Sequence, residues 1–153
     1  MPQANFYDPR FMQEALVEAE RARLEDEVPL GAVVVYMSKI VGRGHNSVIS
    51  TGDPTGHAEI IALREAARTL RNYRLPDCDL YCTIEPCAMC AGAMVHSRIR
   101  HLFYGAADPK GGAIESTQRL LQIPQLNHRV IAQGGFLEKE SAALLQEFFK
   151  QRR

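Results

Sequence analysis

The chain has 153 residues, of which 46% are hydrophobic and 24% charged. Those proportions belong to a folded globular protein and exclude disorder, and the length fits one domain spanning residues 1–153. Eighteen basic residues balance eighteen acidic ones, so no overall field draws the protein to nucleic acid or a membrane surface, and any such contact must come from a local patch.

Asp8-Pro9 opens a helix: Asp is a good N-cap and Pro suits the first helical position. Met12, Ala15, Leu16, Ala19 and Ala22 then recur at helical spacing to about Leu24. Leu30 to Tyr36 is an apolar, β-branched run of strand length. Ile40 to Gly44 returns beside it as a hairpin partner, through a turn at Met37-Ser38 that lacks the usual Gly or Asn. His45 to Gly56 is rich in turn formers and reads as a loop. A second helix runs from His57 to Leu70, with Thr55 or Asp53 near its cap. Leu80 to Ile84 is a strand, Pro86 starts a third helix reaching His96, and Ile99 to Tyr104 is the next strand. Gly105 to Gly112 is a loop, Gln118 to Leu121 a short helix and Arg129 to Ala132 a weak strand. Glu138 to Lys150 closes the chain as a helix with Ala142, Leu145 and Phe149 on one side.

The order α-β-β-α-β-α-β-α-β-α predicts an α/β fold of three layers, with a central five-stranded mixed sheet covered on both faces. The first two strands are too close for a crossover and pair antiparallel; the later ones, joined through helices, run parallel.

No apolar run approaches the roughly 18–20 residues of a membrane span. The opening MPQANFYDPR lacks the basic-then-apolar layout of an export signal, so a cytoplasmic protein is expected. In such a chain, four cysteines at 78, 82, 87 and 90 read as metal-binding or catalytic rather than as a disulfide framework.

Two pieces carry chemistry: His57-Ala58-Glu59 and Pro86-Cys87-Ala88-Met89-Cys90. Chance supplies about 0.4 His-x-Glu patterns in a chain of this composition but only about 0.004 Pro-Cys-x-x-Cys patterns, so the second piece is the specific one. Cys87 and Cys90 share a helix face and lie in a first turn, where the macrodipole favours thiolates. His57 lies in the first turn of another helix. If the two N-termini meet, one imidazole and two thiolates surround a point and leave a fourth position open, as in a catalytic zinc site. Glu59 then stands beside that position as a proton carrier. The bland alternative makes Cys87 and Cys90 buried apolar residues and His57 a helix cap. Cys82 reads as a plain core residue, and His45, His96, His101 and His128 have no partner pattern.

The same residues resemble the zinc-dependent cytidine/adenosine deaminase superfamily, whose signature joins His-x-Glu to Pro-Cys-x-x-Cys. Val28 to Val33, His57 to Leu63, Asn72 to Leu75, Leu80-Tyr81, Glu85 to Ile99, Gly105 to Gly112, Asn127-His128 and Ala143 to Phe149 extend the likeness over almost the whole chain and narrow it to the bacterial tRNA-specific adenosine deaminases. Cys82, Ile84 and Ala88 are mild variants of the expected apolar residues, and Pro109 is unusual in its loop. The resemblance implies a cytidine deaminase-like fold and a homodimer with one zinc per subunit, held by His57, Cys87 and Cys90. It implies hydrolytic deamination of the wobble adenosine of a tRNA anticodon stem-loop to inosine by a zinc-activated hydroxide, with Glu59 moving protons.

By the same likeness Asn46 hydrogen-bonds the base, Leu30 and Ile84 pack its faces and Ala58 lines the pocket through its backbone. Asp108 either meets a ribose 2′-hydroxyl or forms a turn before Pro109, and Asn46 otherwise caps a loop. Lys110, Arg98, Arg100 and the ending Phe148-Phe149-Lys150-Gln151-Arg152-Arg153 are expected to form a cationic rim. In it Phe148 stacks a base while Phe149 faces the core; a solvated tail is the alternative. The helix after Cys87 holds Met89, Met94 and Val95, more apolar surface than one packing face needs, which suits a dimer. Two other functions compete: a deaminase of a free base or nucleotide of the guanine or cytidine type, and a silent binding module with a structural zinc.

Overall fold

The computed structural model describes residues 6–152; Arg153, the end of the expected basic rim, lies outside the described residues. Helix α1 (Pro9–Leu24) leads into the hairpin β1 (Gly31–Tyr36) and β2 (Lys39–His45), followed by a one-turn helix α2 (Val48–Thr51) and helix α3 (Ala58–Leu70). Strand β3 (Cys78–Ile84), helix α4 (Ala88–Ser97) and strand β4 (His101–Ala106) come next. A 3₁₀ turn (Leu120–Gln122), strand β5 (Ile131–Gln133) and helix α5 (Glu138–Gln151) complete the order. The sheet runs β2-β1-β3-β4-β5. β1 pairs antiparallel with both β2 and β3, and β3, β4 and β5 are parallel, as the connection lengths predict.

Alternation along the strands divides the core. Val33, Val35, Tyr81 and Phe103 pack with Met12 and Ala15 of α1. Ala32, Val34, Leu80, Cys82, Leu102 and Tyr104 face α3 and α4, meeting Ala62, Ala66, Ala91 and Met94. The N-cap of α1 is Asp8, whose carboxylate accepts from the Arg10 amide. The turn without glycine is a two-residue one: Met37 and Ser38 both take left-handed backbone, φ 49° and 62°. That is the geometry a tight hairpin imposes, here at a steric cost.

Several boundaries differ from expectation. The segment 45–56 is not all loop, because α2 forms inside it. Cys78 belongs to β3, where it pairs with Tyr36. His57 and Cys87 are not in the first turns of their helices; each is the N-cap, with extended backbone. Asp53 does not cap α3, since its carboxylate accepts instead from the amide and hydroxyl of Thr55. The helix expected at 118–121 is a single 3₁₀ turn at 120–122. On α5 the inward face is one residue out of step with the expected one: Ser141 and Phe148 are buried and Phe149 is exposed. Met94 and Val95 are core residues, so among the three apolar side chains held to be surplus only Met89 reaches the surface.

The close approach of α3 to β2 is set by glycine. A Cβ at Gly44 would stand 2.3 Å from the Ala58 carbonyl oxygen, and one at Gly42 would stand 2.2 Å from that of Ala62. The helix backbone therefore lies directly on the strand. Gly44→Ala should force the helix outward and lower stability by about 1–3 kcal/mol, the usual cost of overpacking. Urea unfolding reads this as a lower midpoint at unchanged slope; a midpoint equal to the parent's would show that α3 shifts freely.

Candidate active site

α3 and α4 begin at the same end of the sheet, and their N-caps face each other. Neither His57 nor Cys87 makes a side-chain cap hydrogen bond to its own helix. Instead the His57 Nδ1 atom lies 3.6 Å from the Cys87 sulfur and 3.5 Å from the Cys90 sulfur. Tetrahedral bonds of about 2.3 Å to sulfur and about 2.0–2.1 Å to nitrogen would place such atoms about 3.5–3.6 Å apart. The donor set and its spacing thus fit a tetrahedral metal ion with one position open. Among the described residues, this trio is the group that could hold one.

The two thiols are unequal. The hydrogen bond from Cys90 pulls Cys87 down to about 5 against the effect of burial, with help from the Cys90 and Met89 amides and the His57 charge. The same bond, with burial, holds Cys90 up. These are the electrostatics of a helix N-terminus that accepts negative charge.

Two carboxylates line the cavity beside the trio, and their environments push them apart. Glu59, on the first turn of α3, is buried, and desolvation followed by the Cys87 charge raises its pKa. Glu85 follows β3 and is also buried. Burial pushes its pKa up, but hydrogen bonds from the Ser116 hydroxyl and several backbone amides outweigh that and lower it. One carboxylate favours holding a proton and the other stays ionised.

The cavity, of about 100 Å³, is walled by Leu30, Ile84, Thr83 and Asp108 together with His57, Glu59, Cys87 and Glu85. Leu30, Ile84 and Asp108, three of the residues expected to meet substrate, are thus among its walls. Ala58 is fully buried behind them. Asn46 is buried at the end of β2, its amide donating at 3.4 Å to the Val28 carbonyl, and it does not line the cavity. The Asp108 carboxylate closes a turn by accepting from the Lys110 and Gly111 amides, both at 3.2 Å, while its second oxygen has no partner among the described residues. Lys110 is exposed.

Three expectations fail. Phe148 is 6% exposed, and the Arg152 guanidinium covers its ring at 3.9 Å, so it has no open face for a base; Phe149, 48% exposed, is the outward ring. Arg98 and Arg100 precede β4 whereas Lys110 follows it, so they stand at opposite ends of the strand. Arg100 is spent on a two-point ion pair with Asp79, and Arg98 on Asn127. His45 does have partners: its ring nitrogens meet Glu18 at 3.2 Å and Glu25 at 2.9 Å.

Two positions were missed from sequence. Glu85 and Glu27, 3% and 1% exposed, each collect backbone amides from a loop. Glu27 accepts from Ile49 and Ser50 and fixes α2. The only hint in the sequence was an acidic residue beside each conspicuous motif, without a basic neighbour to pair it.

The MafB19-like deaminase family matches residues 6–153. A tRNA-specific adenosine deaminase of Agrobacterium fabrum is 48% identical over 143 residues, 94% of each chain. One from Haemophilus influenzae is 45% identical over 148 residues, covering 96% of this chain and 86% of that one. A structure solved in studies of A-to-I editing by tRNA:A34 deaminases at the wobble position of transfer RNA superposes with a TM-score of 0.88 at 47% identity, over 90% of this chain and all of that chain. Guanine deaminase of Bacillus subtilis is more distant, with a TM-score of 0.65 at 30% identity, covering 95% and 94%. Sheet order, paired helix N-termini and these likenesses define the class as a base deaminase. Within it, the chain belongs to the family of tRNA-specific adenosine deaminases.

The depressed Cys87 thiol is testable apart from turnover. A thiol below its ordinary value is thiolate, and alkylates, at every pH above its own pKa. In metal-stripped protein, iodoacetamide should therefore modify Cys87 with a midpoint near pH 5. Cys78, raised by burial to about 11, and Cys82, raised by burial as well, should stay unmodified at neutral pH. Peptide mass spectrometry across pH reads the order; a Cys87 midpoint near the free-thiol value of about 8.5 would refute the geometry.

Proposed function

We propose that this protein hydrolyses the wobble adenosine of a tRNA anticodon loop to inosine, releasing ammonia. The observation that carries the reading is the meeting of His57, Cys87 and Cys90 beside a buried Glu59, in a chain 48% identical to a tRNA-specific adenosine deaminase. His57, Cys87 and Cys90 would hold one zinc ion per chain. Bound there, zinc would act as a Lewis acid, lowering the pKa of a water from about 15.7 towards 7.

The chain's own residues do the rest. Glu59 accepts a proton from the attacking water and gives it to adenine N1 as C6 is attacked; it then takes the proton of the new C6 hydroxyl and passes it to the amine, which leaves as ammonia while C6 becomes a carbonyl. Its raised proton affinity suits that task. Leu30 and Ile84 pack the faces of the base and the Ala58 backbone closes the floor. Asn46 reaches the base only if its amide turns from Val28. The base must leave its stack to enter, which favours a loop over a duplex. The free oxygen of Asp108 is read as the acceptor for a ribose 2′-hydroxyl, a group that DNA lacks.

No helix is long and apolar enough to cross a membrane among the described residues; a tRNA substrate supports reading the protein as cytoplasmic. A homodimer follows the resemblance. Two hollows flank α4, one largely apolar with Ile60, Tyr73 and Ala93, the other mixed, with Leu120 and Leu126 beside His96, Arg98 and Asn127. A free-base substrate of the guanine type is the second reading; the lower identity to guanine deaminase than to tRNA deaminases weighs against it.

Incubation with unmodified tRNA carrying adenosine at the wobble position, followed by sequencing for inosine, tests the reading. Free guanine, cytidine and adenosine serve as controls. Glu59→Gln should retain metal and RNA binding but lose turnover by about 10²–10⁴-fold or more. A variant within about tenfold of the parent would remove Glu59 from proton transfer.

The RNA-binding end has a second test. α5 lies beside α1, and Arg152 donates to the Asp26 carbonyl at 3.2 Å, at the end of the fold from which Leu30 enters the cavity. Deleting Lys150 to Arg153 should raise KM for tRNA and flatten its salt dependence by about one slope unit per lost phosphate contact. Single-turnover chemistry at saturating RNA should barely change. Equal KM and equal slope would show that the tail takes no part.

A further inference from the structure

Glu85 has no place in the chemistry above, yet it is the most heavily hydrogen-bonded carboxylate beside the cavity. One oxygen accepts from the Asp108 amide at 3.1 Å and the Ser116 hydroxyl at 2.6 Å. The other accepts from the amides of Ile114 at 3.1 Å, Glu115 at 2.8 Å and Ser116 at 2.9 Å. Its own amide donates to Ala106, and Ala113 donates to the neighbouring Pro86 carbonyl. Gly112 lies flat on the carboxylate: a Cβ there would stand 2.2 Å from the Glu85 Cδ atom.

Glu85 also stands between two functional pieces in sequence. Ile84, a wall of the cavity, precedes it, and Pro86-Cys87 follows. The segment it gathers, 107–117, has no helix or strand of its own and carries Asp108 and Lys110. Asp108 in turn orders Lys110 and Gly111 through its carboxylate. The chain of hydrogen bonds therefore runs from the end of β3, through Glu85, to the residues at the cavity mouth.

We propose that Glu85 is a positioning residue for substrate: its carboxylate ties the 107–117 segment to the strand end that carries Ile84 and Cys87, and so sets where Asp108 and Lys110 meet the nucleotide. With all five donors satisfied, it neither binds the base nor moves a proton. The proposal rests on the reading of the cavity as a nucleotide site.

Two variants test it. Glu85→Gln keeps the volume but turns an NH2 group toward amides that need an acceptor. Gly112→Ala leaves Glu85 in place and drives a methyl group into it. Both should lower hydrogen-exchange protection at the Asp108, Ile114, Glu115 and Ser116 amides by about tenfold. Both should raise KM for an adenosine-containing anticodon stem-loop by about tenfold, the scale of losing one charge-assisted hydrogen bond. Single-turnover rate at saturating RNA should stay within about threefold of the parent, with bound metal unchanged. Because both disturb one contact, the double variant should cost about as much as the worse single one.

Unchanged protection in both variants would overturn the proposal. So would a fall in single-turnover rate at unchanged KM, which would put Glu85 in the chemistry instead. If Glu85→Gln does not fold, Gly112→Ala carries the same two readouts. A parent inactive on the stem-loop would overturn the tRNA reading, while the exchange measurement would still decide whether Glu85 holds the segment.

Discussion

His57 and Cys87 each occupy a helix N-cap and neither side chain caps its helix. Ser, Thr, Asp or Asn would stabilise those termini by roughly 1 kcal/mol apiece. The fold forgoes that at two helices to bring one imidazole nitrogen within 3.6 Å of two sulfurs. Everything else in the site depends on keeping the two helix ends together. Gly42 and Gly44 let α3 lie on the backbone of β2, and the buried Ala91 and Met94 seat α4 against the same sheet face. Local rules broken in this way mark functional rather than structural positions.

Around this rigid floor the walls are made differently. Leu30 and Ile84 belong to strand ends and inherit their order from the sheet. Asp108 comes from a segment without helix or strand, and that segment, like the one-turn helix α2 beyond the cavity, is held by one buried carboxylate. Glu27 binds two amides of α2 and Glu85 binds three amides of the 114–116 turn and that of Asp108. A carboxylate that gathers backbone N–H groups in a low-dielectric interior is costly to disturb. Irregular segments can then be as well placed as strands, without regular structure of their own. Glu59 contrasts with Glu85: both are buried acids, but burial favours the proton on Glu59, whereas the donors around Glu85 keep it ionised.

Much of this was legible in the sequence. Periodicity and Gly/Pro punctuation located all five strands and the long helices, since apolar alternation on a sheet and 3.6-residue spacing on a helix are local properties. Pro86-Cys87-x-x-Cys90 with His57 and Glu59 pointed to the trio before any geometry. What failed was set by tertiary contact. The inner face of α5 could not be told from Ala142, Leu145 and Phe149 alone, because apolar residues occur on both sides and packing against α1 and the sheet chose Ser141 and Phe148. Arg100 looked free to bind phosphate until Asp79, twenty-one residues away, was found opposite it. Glu27 and Glu85 act through backbone amides, which every residue has, so no side-chain pattern reveals them.

The same distinction bears on how a chain of zero net charge holds a polyanion. With no global field to steer RNA, binding has to arise where cations remain unspent. Arg43 and Arg21 are committed to Glu18, Arg23 to Glu20, Arg100 to Asp79 and Arg129 to the carbonyls of Leu121, Ile123 and Pro124. Lys110 and Lys150 are exposed and have no side-chain ion pair among the described residues; Arg152 lies on the Phe148 ring and pairs with the well-exposed Asp26. Lys110 belongs to the segment that Glu85 orders, and Lys150 and Arg152 to the end of α5. On the proposed function, recognition of RNA would fall to cations that lie free at the surface, and catalysis to residues fixed in the interior. Glu85 links one of these cations, Lys110, to the strand end that carries Cys87 through the Asp108 amide and carboxylate, so on the proposed reading a change at Glu85 would be felt as altered substrate placement before altered chemistry.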